Sequence, residues 1–388
     1  MATQRSKSIL IDSKLPDIGT SIFTVMSKLA TDHGAINLSQ GFPDFNCPQE
    51  LADLVNHYVQ HGYNQYAPMP GVPVLREKIS RKTALVYGPT PDPLTEVTVT
   101  SGATEALYAA VTAVVRPGDE VIILEPAYDL YVPAVRLNGG VPVLVPLTLP
   151  DFSVDWDLVK SRITPRTRLI MLNTPHNPSG AVLSRQDLDT LAELLENTNI
   201  FVVSDEVYEH IVFDGQQHHS LLTHPALAAR SFVISSFGKT YHTTGWKIGY
   251  CVAPPALTTE FRRIHQFLTF STSTPMQFAL ADFLDQTEHY LTLPAFYQQK
   301  RDLFCALLRE TRFSFVPSPG TYFQTVRYEA ITQENDEAFA RRLTTEIGVA
   351  AIPYSVFYQQ RTDHKLLRFC FAKNDDTLRQ GVEKLTKL

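Results

Sequence analysis

The chain has 388 residues, 44% hydrophobic and 19% charged, with a formal net charge of −6, which describes a globular protein long enough for two or three cores. The acidic total argues against a nucleic-acid partner, which calls for a basic face, and no apolar run approaches the ~18 residues of a membrane span. The N-terminal stretch has no apolar h-region of a secretory signal, and Cys47, Cys251, Cys305 and Cys370 form no C-x-x-C pair, so they read as reduced thiols of a cytoplasmic protein.

Along the chain, residues 96–100 (EVTVT) predict a short strand, and Ser101-Gly102 turns it into a helix over ATEALYAAVTAVV, closed by Arg116-Pro117-Gly118. Residues 119–124 (DEVIIL), 168–172 (RLIML), 200–203 (IFVV) and 232–234 (FVI) predict further strands. Between them Ser184 can cap a helix whose Leu188, Leu191 and Leu195 recur at i, i+3, i+7. Continuous apolar strands alternating with amphipathic helices imply an α/β fold with a mostly parallel sheet covered on both faces. From about 261 to 308 the pattern is helical. The strand-like runs GTYFQTVRY, VAAIP and LLRFCFA follow, then a helix near 376–388. This predicts a smaller α+β domain. The large domain is expected over 42–286, and residues 1–41, with too few apolar side chains for a core of their own, join 287–388.

In such sheets ligands bind outside the carboxyl ends of the strands, so the residues there carry the functional reading. After EVTVT, Ser101-Gly102-Ala103-Thr104 is a glycine turn feeding a helix N-terminus, which suits a phosphate. After RLIML, the loop of Asn173, Thr174, Pro175, His176, Asn177, Pro178, Ser179 and Gly180 is stiffened by its prolines and can hold an Asn as a donor. After IFVVS come Asp205-Glu206-Val207-Tyr208, and a carboxylate there needs a cationic partner or a capping role. After FVI comes SSFGKTYHTTGWKIGY, with Lys239 and Lys247 in an apolar, glycine-rich run. A lysine in such a setting becomes nucleophilic as its pKa falls.

Rival readings of these residues fail. FGKT resembles the tail of a phosphate-binding P-loop, but that motif needs a glycine where Val233 stands, and no G-x-G-x-x-G occurs. His57 and His61 are i, i+4 on a helical segment, yet no H-E-x-x-H occurs, so no metal site is expected; His218-His219 reads as solvated surface. The combination points elsewhere. A lysine for a Schiff base, an acid for a pyridinium nitrogen and an anion cup for a phosphate are the needs of pyridoxal 5′-phosphate.

Through LSQGFPDF, NQYAPMPG, SGATEALYAA, NTPHNPSG, SDEVYEH, SSFGKTYHTTGWKIGY and LLRFCFAK, the chain resembles the class I/II aminotransferases of the fold-type I pyridoxal phosphate enzymes, in the methionine and kynurenine/glutamine branch. The resemblance covers essentially the whole chain. It implies Lys239 as the lysine that carries the cofactor, Asp205 as the acid on its ring nitrogen, and Tyr208 and Asn177 on its phenolic oxygen. Gly102, Ala103 and Ser236 match the phosphate cup, with Lys247 where the family usually has an arginine. Tyr128 matches the aromatic stacked on the ring. Tyr66 matches a tyrosine that reaches the phosphate of a neighbouring subunit, which implies a homodimer with shared sites. Arg368 and Gly41 match the groups that bind the substrate α-carboxylate, a good fit for a guanidinium fork.

The resemblance implies a ping-pong transfer of the α-amino group of an amino acid to a 2-oxo acid. Aspartate-specific relatives use a second arginine from a segment matching QFLTFSTSTP, but here no arginine follows Arg263 until Arg301. Ile22, Phe23, Tyr63 and Phe270 are candidates to line an apolar side-chain pocket, so methionine or another apolar or aromatic amino acid is expected. A kynurenine/glutamine transaminase with β-lyase activity on cysteine conjugates shares every cofactor residue. A non-catalytic, cofactor-binding sensor of a transcription regulator would carry a DNA-binding domain, for which residues 1–40 are too short.

Overall fold

The computed structural model describes residues 11–388. Its strands are β1 (Ile36–Asn37), β2 (Val97–Thr100), β3 (Glu120–Glu125), β4 (Val141–Pro146), β5 (Thr167–Asn173), β6 (Phe201–Asp205), β7 (Ser231–Ser236), β8 (Gly249–Val252), β9 (Phe323–Arg327), β10 (Val349–Ala350), β11 (Ile352–Pro353) and β12 (Leu366–Cys370). Seven of them form one sheet in the order β2-β8-β7-β6-β5-β3-β4. Within it β4, β3, β5, β6 and β7 are parallel. β8 runs against both β7 and β2, so β2 points the same way as the parallel set.

Burial on both faces explains the continuous apolar strands. Val121, Ile123, Leu169, Met171 and Val203 pack with Ala106, Ala110 and Val111 of the helix Gly102–Val114. The alternate residues Ile122, Leu124, Ile170 and Val202 pack with Leu188, Leu191 and Leu195 of the helix Arg185–Leu195. Successive strand side chains point to opposite faces, so each strand feeds both layers. The Arg185–Leu195 helix starts where Ser184 predicts, in a capping box with Asp187.

The remaining strands lie apart from this sheet. β9, β12 and β11 form an antiparallel sheet, and β1 pairs in parallel with β10. Met26 and Leu38, near the start of the chain, share a core cluster with Phe304, Val326, Phe339, Leu367 and Leu378. The Leu38 carbonyl also accepts from the Cys370 amide at 2.7 Å. The predicted helical stretch resolves into Pro255–Leu268, Thr274–Phe283, Glu288–Leu291 and Leu293–Leu308, and the last helix is Asp375–Leu385.

The loop after β5 is held by a close backbone approach. Gly180 has φ +81, and a Cβ there would lie 1.8 Å from Ser318 Oγ and 2.7 Å from the Gly320 carbonyl oxygen. Only glycine meets both the conformation and the space. Gly180→Ala is expected to destabilise the fold by about 2–4 kcal/mol, read as a lower urea midpoint, whereas Gly62→Ala, whose Cβ would meet nothing within 4 Å, costs less through its positive φ alone.

Candidate active site

The carboxyl ends of β2, β3, β5, β6 and β7 open onto one cavity of about 280 Å³. Its wall holds Lys239, Asp205, Tyr208, Gly102, Ala103, Tyr128, Asn177, Ser236, Lys247, Arg368, Gly41 and Phe23. Twelve of the sixteen residues anticipated for the site therefore converge, drawn from segments far apart in the chain. Ile22 does not line it; it faces the neighbouring cavity of about 420 Å³, one helical position away from Phe23. Tyr66 is 84% exposed and packs its ring edge-on against Phe270, as far from burial as any aromatic in the chain. Tyr63 packs edge-on instead against Tyr58 and Phe278.

One end of the cavity is built for an anion. Gly102, Ala103 and Thr104 begin the helix Gly102–Val114 with their backbone N–H groups free of helical partners. Gly102 has φ +77, and a Cβ there would press on Lys247 Cε at 3.2 Å. Lys247, itself left-handed at φ 56, places Nζ 3.3 Å from Thr104 Oγ1. Ser236 caps the short turn Phe237–Thr240 by accepting from the Gly238 amide at 3.1 Å.

At the opposite end lies Arg368 on β12, 1% exposed. Its Nη1 donates to Asn177 Oδ1 at 2.7 Å and its Nη2 to the Ser39 carbonyl at 3.0 Å. The guanidinium lies 3.9 Å from the Phe323 ring centroid. Its Nε is buried with no partner, an open donor in a group that burial already penalises. Gly41 approaches closely, since a Cβ there would be 2.8 Å from Phe323 Cζ.

Between the two ends sit the acid and the amine. Asp205 ends β6 fully enclosed; its Oδ2 accepts from Tyr131 Oη at 2.7 Å and its Oδ1 from the Val207 amide at 3.3 Å. Burial pushes its carboxyl up to about 6 despite those bonds. Lys239 Nζ donates to Tyr322 Oη at 2.9 Å and to the Gly41 carbonyl at 3.1 Å, and burial lowers its amine to about 8. The amine thus keeps a substantial neutral, nucleophilic fraction near neutral pH. Asn173 ties the loop to this centre, donating to the Asp205 carbonyl at 2.9 Å and accepting from the Asn177 amide at 2.7 Å. The donor set suits a flat ligand with an anionic end, a ring nitrogen facing Asp205, and an attached carboxylate.

Beneath the site runs a buried polar layer that motif reading missed. Glu209 accepts from Lys82 Nζ at 2.6 Å, from Tyr87 Oη at 2.6 Å, from Tyr250 Oη at 3.0 Å and from Ser235 Oγ. Burial alone favours its protonated form, but the Lys82 charge and the bonds from Lys82 and Ser235 outweigh it and hold the carboxyl well below its usual range. Glu206 bonds Ser204, the Leu221 amide and His218 Nε2 at 2.9 Å. His218, expected on the solvated surface, is therefore a correction: its side chain is only 3% exposed, drawn inside by Glu206. Tyr131 and Tyr322 were also missed. Tyr131 stands three residues after Tyr128 in EPAYDLY, a spacing that puts both rings on one side of a helical turn; Tyr322 gave no local signal.

The family model for aminotransferase class I and II matches residues 33–385. Methionine aminotransferase of Escherichia coli is 53% identical over 381 residues, covering 98% of this chain and 99% of that protein. The crystal structure of the E. coli protein YbdL, reported with a methionine aminotransferase function, superposes with a TM-score of 0.96 at 53% identity over 98% of this chain and all of that one. N-succinyldiaminopimelate aminotransferase of Mycobacterium tuberculosis superposes at 0.94 and 40% identity, over 97% of this chain and all of that one. Human kynurenine–oxoglutarate transaminase 1 is 34% identical, covering 93% and 94%. The chain belongs to the class I and II aminotransferases, and it is an aminotransferase with their α/β fold.

The Asp205 environment has a thermodynamic consequence. A carboxyl raised to about 6 on folding adds stability below its unfolded value near 3.9 and loses it as pH climbs through 6. In the cofactor-free protein Asp205→Asn is therefore expected to raise the melting temperature at pH 7.5, by the equivalent of about 3 kcal/mol, and to leave it nearly unchanged at pH 4. An equal effect at both values would contradict a buried, proton-retaining carboxyl.

Proposed function

We propose that the enzyme is a pyridoxal 5′-phosphate-dependent aminotransferase that takes the α-amino group of methionine, or of a similar apolar or aromatic amino acid, and passes it to a 2-oxo acid in two half-reactions. The observation that carries the reading is the meeting, in one cavity, of a buried amine, a buried acid, a free helix N-terminus and a buried guanidinium with an unpartnered Nε. The cofactor supplies an electron sink for the substrate Cα. Lys239 carries it and, once its amine is free, takes the Cα proton at Nζ as general base. Asp205 keeps a proton on the ring nitrogen, with Tyr131 orienting its carboxylate. The amides of Gly102 and Ala103, Ser236 Oγ and Lys247 Nζ bind the phosphate. Tyr128 stacks on the ring, and Asn177 and Tyr208 bind its phenolic oxygen. Arg368 and Gly41 receive the substrate carboxylate.

The side-chain preference rests on the cavity's apolar members, Phe23, Leu107, Val207 and Phe323, and on the engagement of other arginines elsewhere. Arg263 pairs with Glu260 on the surface, and Arg301 is buried against Asp214. A distal carboxylate in the pocket would face the cost of an unpaired buried charge. The E. coli relative, at 53% identity, supports methionine.

Several further readings belong to the same proposal. A homodimer is supported by the exposed rings of Tyr66 and Phe270, 84% and 50% exposed and packed on one another, since an exposed apolar patch marks an interaction surface. The division into 42–286 and 1–41 with 287–388 is supported by the β1–β10 pairing; residues 1–10 of that division lie outside the described residues. A cytoplasmic location is supported by four free cysteines. Among the described residues, no helix is long and apolar enough to cross a membrane.

The test is optical. Adding methionine without any oxo acid should bleach the visible band of the loaded enzyme, and a 2-oxo acid should restore it. Lys239→Ala should do neither, and aspartate should act more slowly than methionine. A band that ignores methionine but answers another amino acid would overturn the substrate, and failure to take up pyridoxal phosphate would overturn the cofactor.

A further inference from the structure

The Lys239 amine is met by a hydroxyl that no motif predicts. Tyr322 stands one residue before β9, after Thr321, whose φ of 63 turns the chain. Its amide neighbours are fixed: the Thr321 amide donates to the Ile211 carbonyl at 2.8 Å, and the Tyr322 carbonyl accepts from the Phe371 amide at 3.0 Å. The ring is fully buried and packs edge-on against Tyr208 and Phe323. Tyr322 Oη donates to the Gly41 carbonyl at 2.6 Å. With its proton committed there, its lone pairs face Lys239 Nζ at 2.9 Å, and Nζ also reaches the same Gly41 carbonyl at 3.1 Å. The three atoms close a triangle in which the amine is the donor to both oxygens.

We propose that Tyr322 is a positioning residue for this reaction: its phenolic oxygen, locked by Gly41, receives the Lys239 amine whenever that amine is free and aims it along the cavity wall. The inference rests on the reading of Lys239 as cofactor carrier and general base. A lysine side chain has four rotatable bonds and loses rate if it wanders, because proton transfer needs hydrogen-bond reach of the reacting carbon. An acceptor on the ammonium form also favours the charged state and so makes the neutral amine a stronger base. The other groups facing Nζ are the Cys370 thiol, the Arg368 and Lys247 cations and the Asp205 carboxyl, with the Tyr208 ring centroid 5.6 Å away. The two cations act against the charged form, and Tyr322 with the Gly41 carbonyl provides the direct acceptors.

Tyr322→Phe removes one oxygen and keeps the ring and its contacts. Tyr297→Phe is the control, because Tyr297 is equally buried and packs on Tyr322 at 5.6 Å, yet its hydroxyl has no partner. The full-length protein is stripped of cofactor, then mixed with pyridoxal phosphate across a pH series; the adduct is trapped with borohydride and located by mass spectrometry. Wild type should trap at Lys239 with a midpoint near 8. Tyr322→Phe should shift that midpoint about one pH unit lower, the scale of one hydrogen bond to a charged group. In the reloaded enzyme it should lower the rate of the methionine half-reaction about tenfold and enlarge the isotope effect of α-deuterated methionine. Tyr297→Phe should match wild type in both. A Tyr322→Phe midpoint and isotope effect equal to wild type would overturn the inference and leave the function standing; failure of wild type itself to trap at Lys239 would overturn the function first.

Discussion

The cavity carries more positive charge than the protein neutralises. Lys239, Lys247 and Arg368 line it, and the one carboxylate among its lining residues, Asp205, is held toward its protonated form by burial. Charges removed from water without partners are costly, so this arrangement persists because the surrounding packing enforces it. Arg368 is clamped by Asn177, Ser39 and three aromatic rings. Lys239 is tethered by a phenol and a carbonyl. A ligand with a phosphate at one end and a carboxylate at the other relieves the imbalance at both, and the same excess disfavours cationic ligands.

The polar layer under the site gives that enforcement its base. Lys82 and Glu209 form a buried pair whose oxygens are further satisfied by two tyrosines and a serine. Such a pair adds little net stability compared with apolar packing, but breaking it leaves a buried charge. It therefore fixes geometry more than it strengthens the fold. Glu209 stands one residue beyond Tyr208, and Ser235 one residue before Ser236, so the pair ties the segments that place Asp205 and Ser236 in the cavity wall to the helix Pro73–Tyr87.

Much of this was legible in the sequence, for identifiable reasons. The strands β3, β5, β6 and β7 are continuous apolar runs because both faces are covered, and the loops at their ends hold residue types with few other uses. β4 escaped because two prolines and an exposed start at the sheet edge blur its pattern. β8 escaped because it has only four residues, Gly249 to Val252, and opens on a glycine, too short a run to show a period. The long-range partners were invisible for a different reason: Tyr322 and Lys82 matter only through contacts made across the fold, and nothing in their local sequence marks them. His218 shows the converse error, where a polar neighbourhood in sequence conceals a buried acceptor in space.

The pairing of the start of the chain with its end orders events during synthesis. Arg368 donates to the carbonyl of Ser39, 329 residues earlier, and β1 finds its partner only in β10. On a ribosome, which delivers the N-terminal part first, the sheet and the helix N-terminus at Gly102 can assemble while the first segment still waits for its counterpart. A nascent chain can thus hold the free helix N-terminus at Gly102 and Lys247 before it holds Arg368, and the clamp of Arg368 on the Ser39 carbonyl is among the last parts to close.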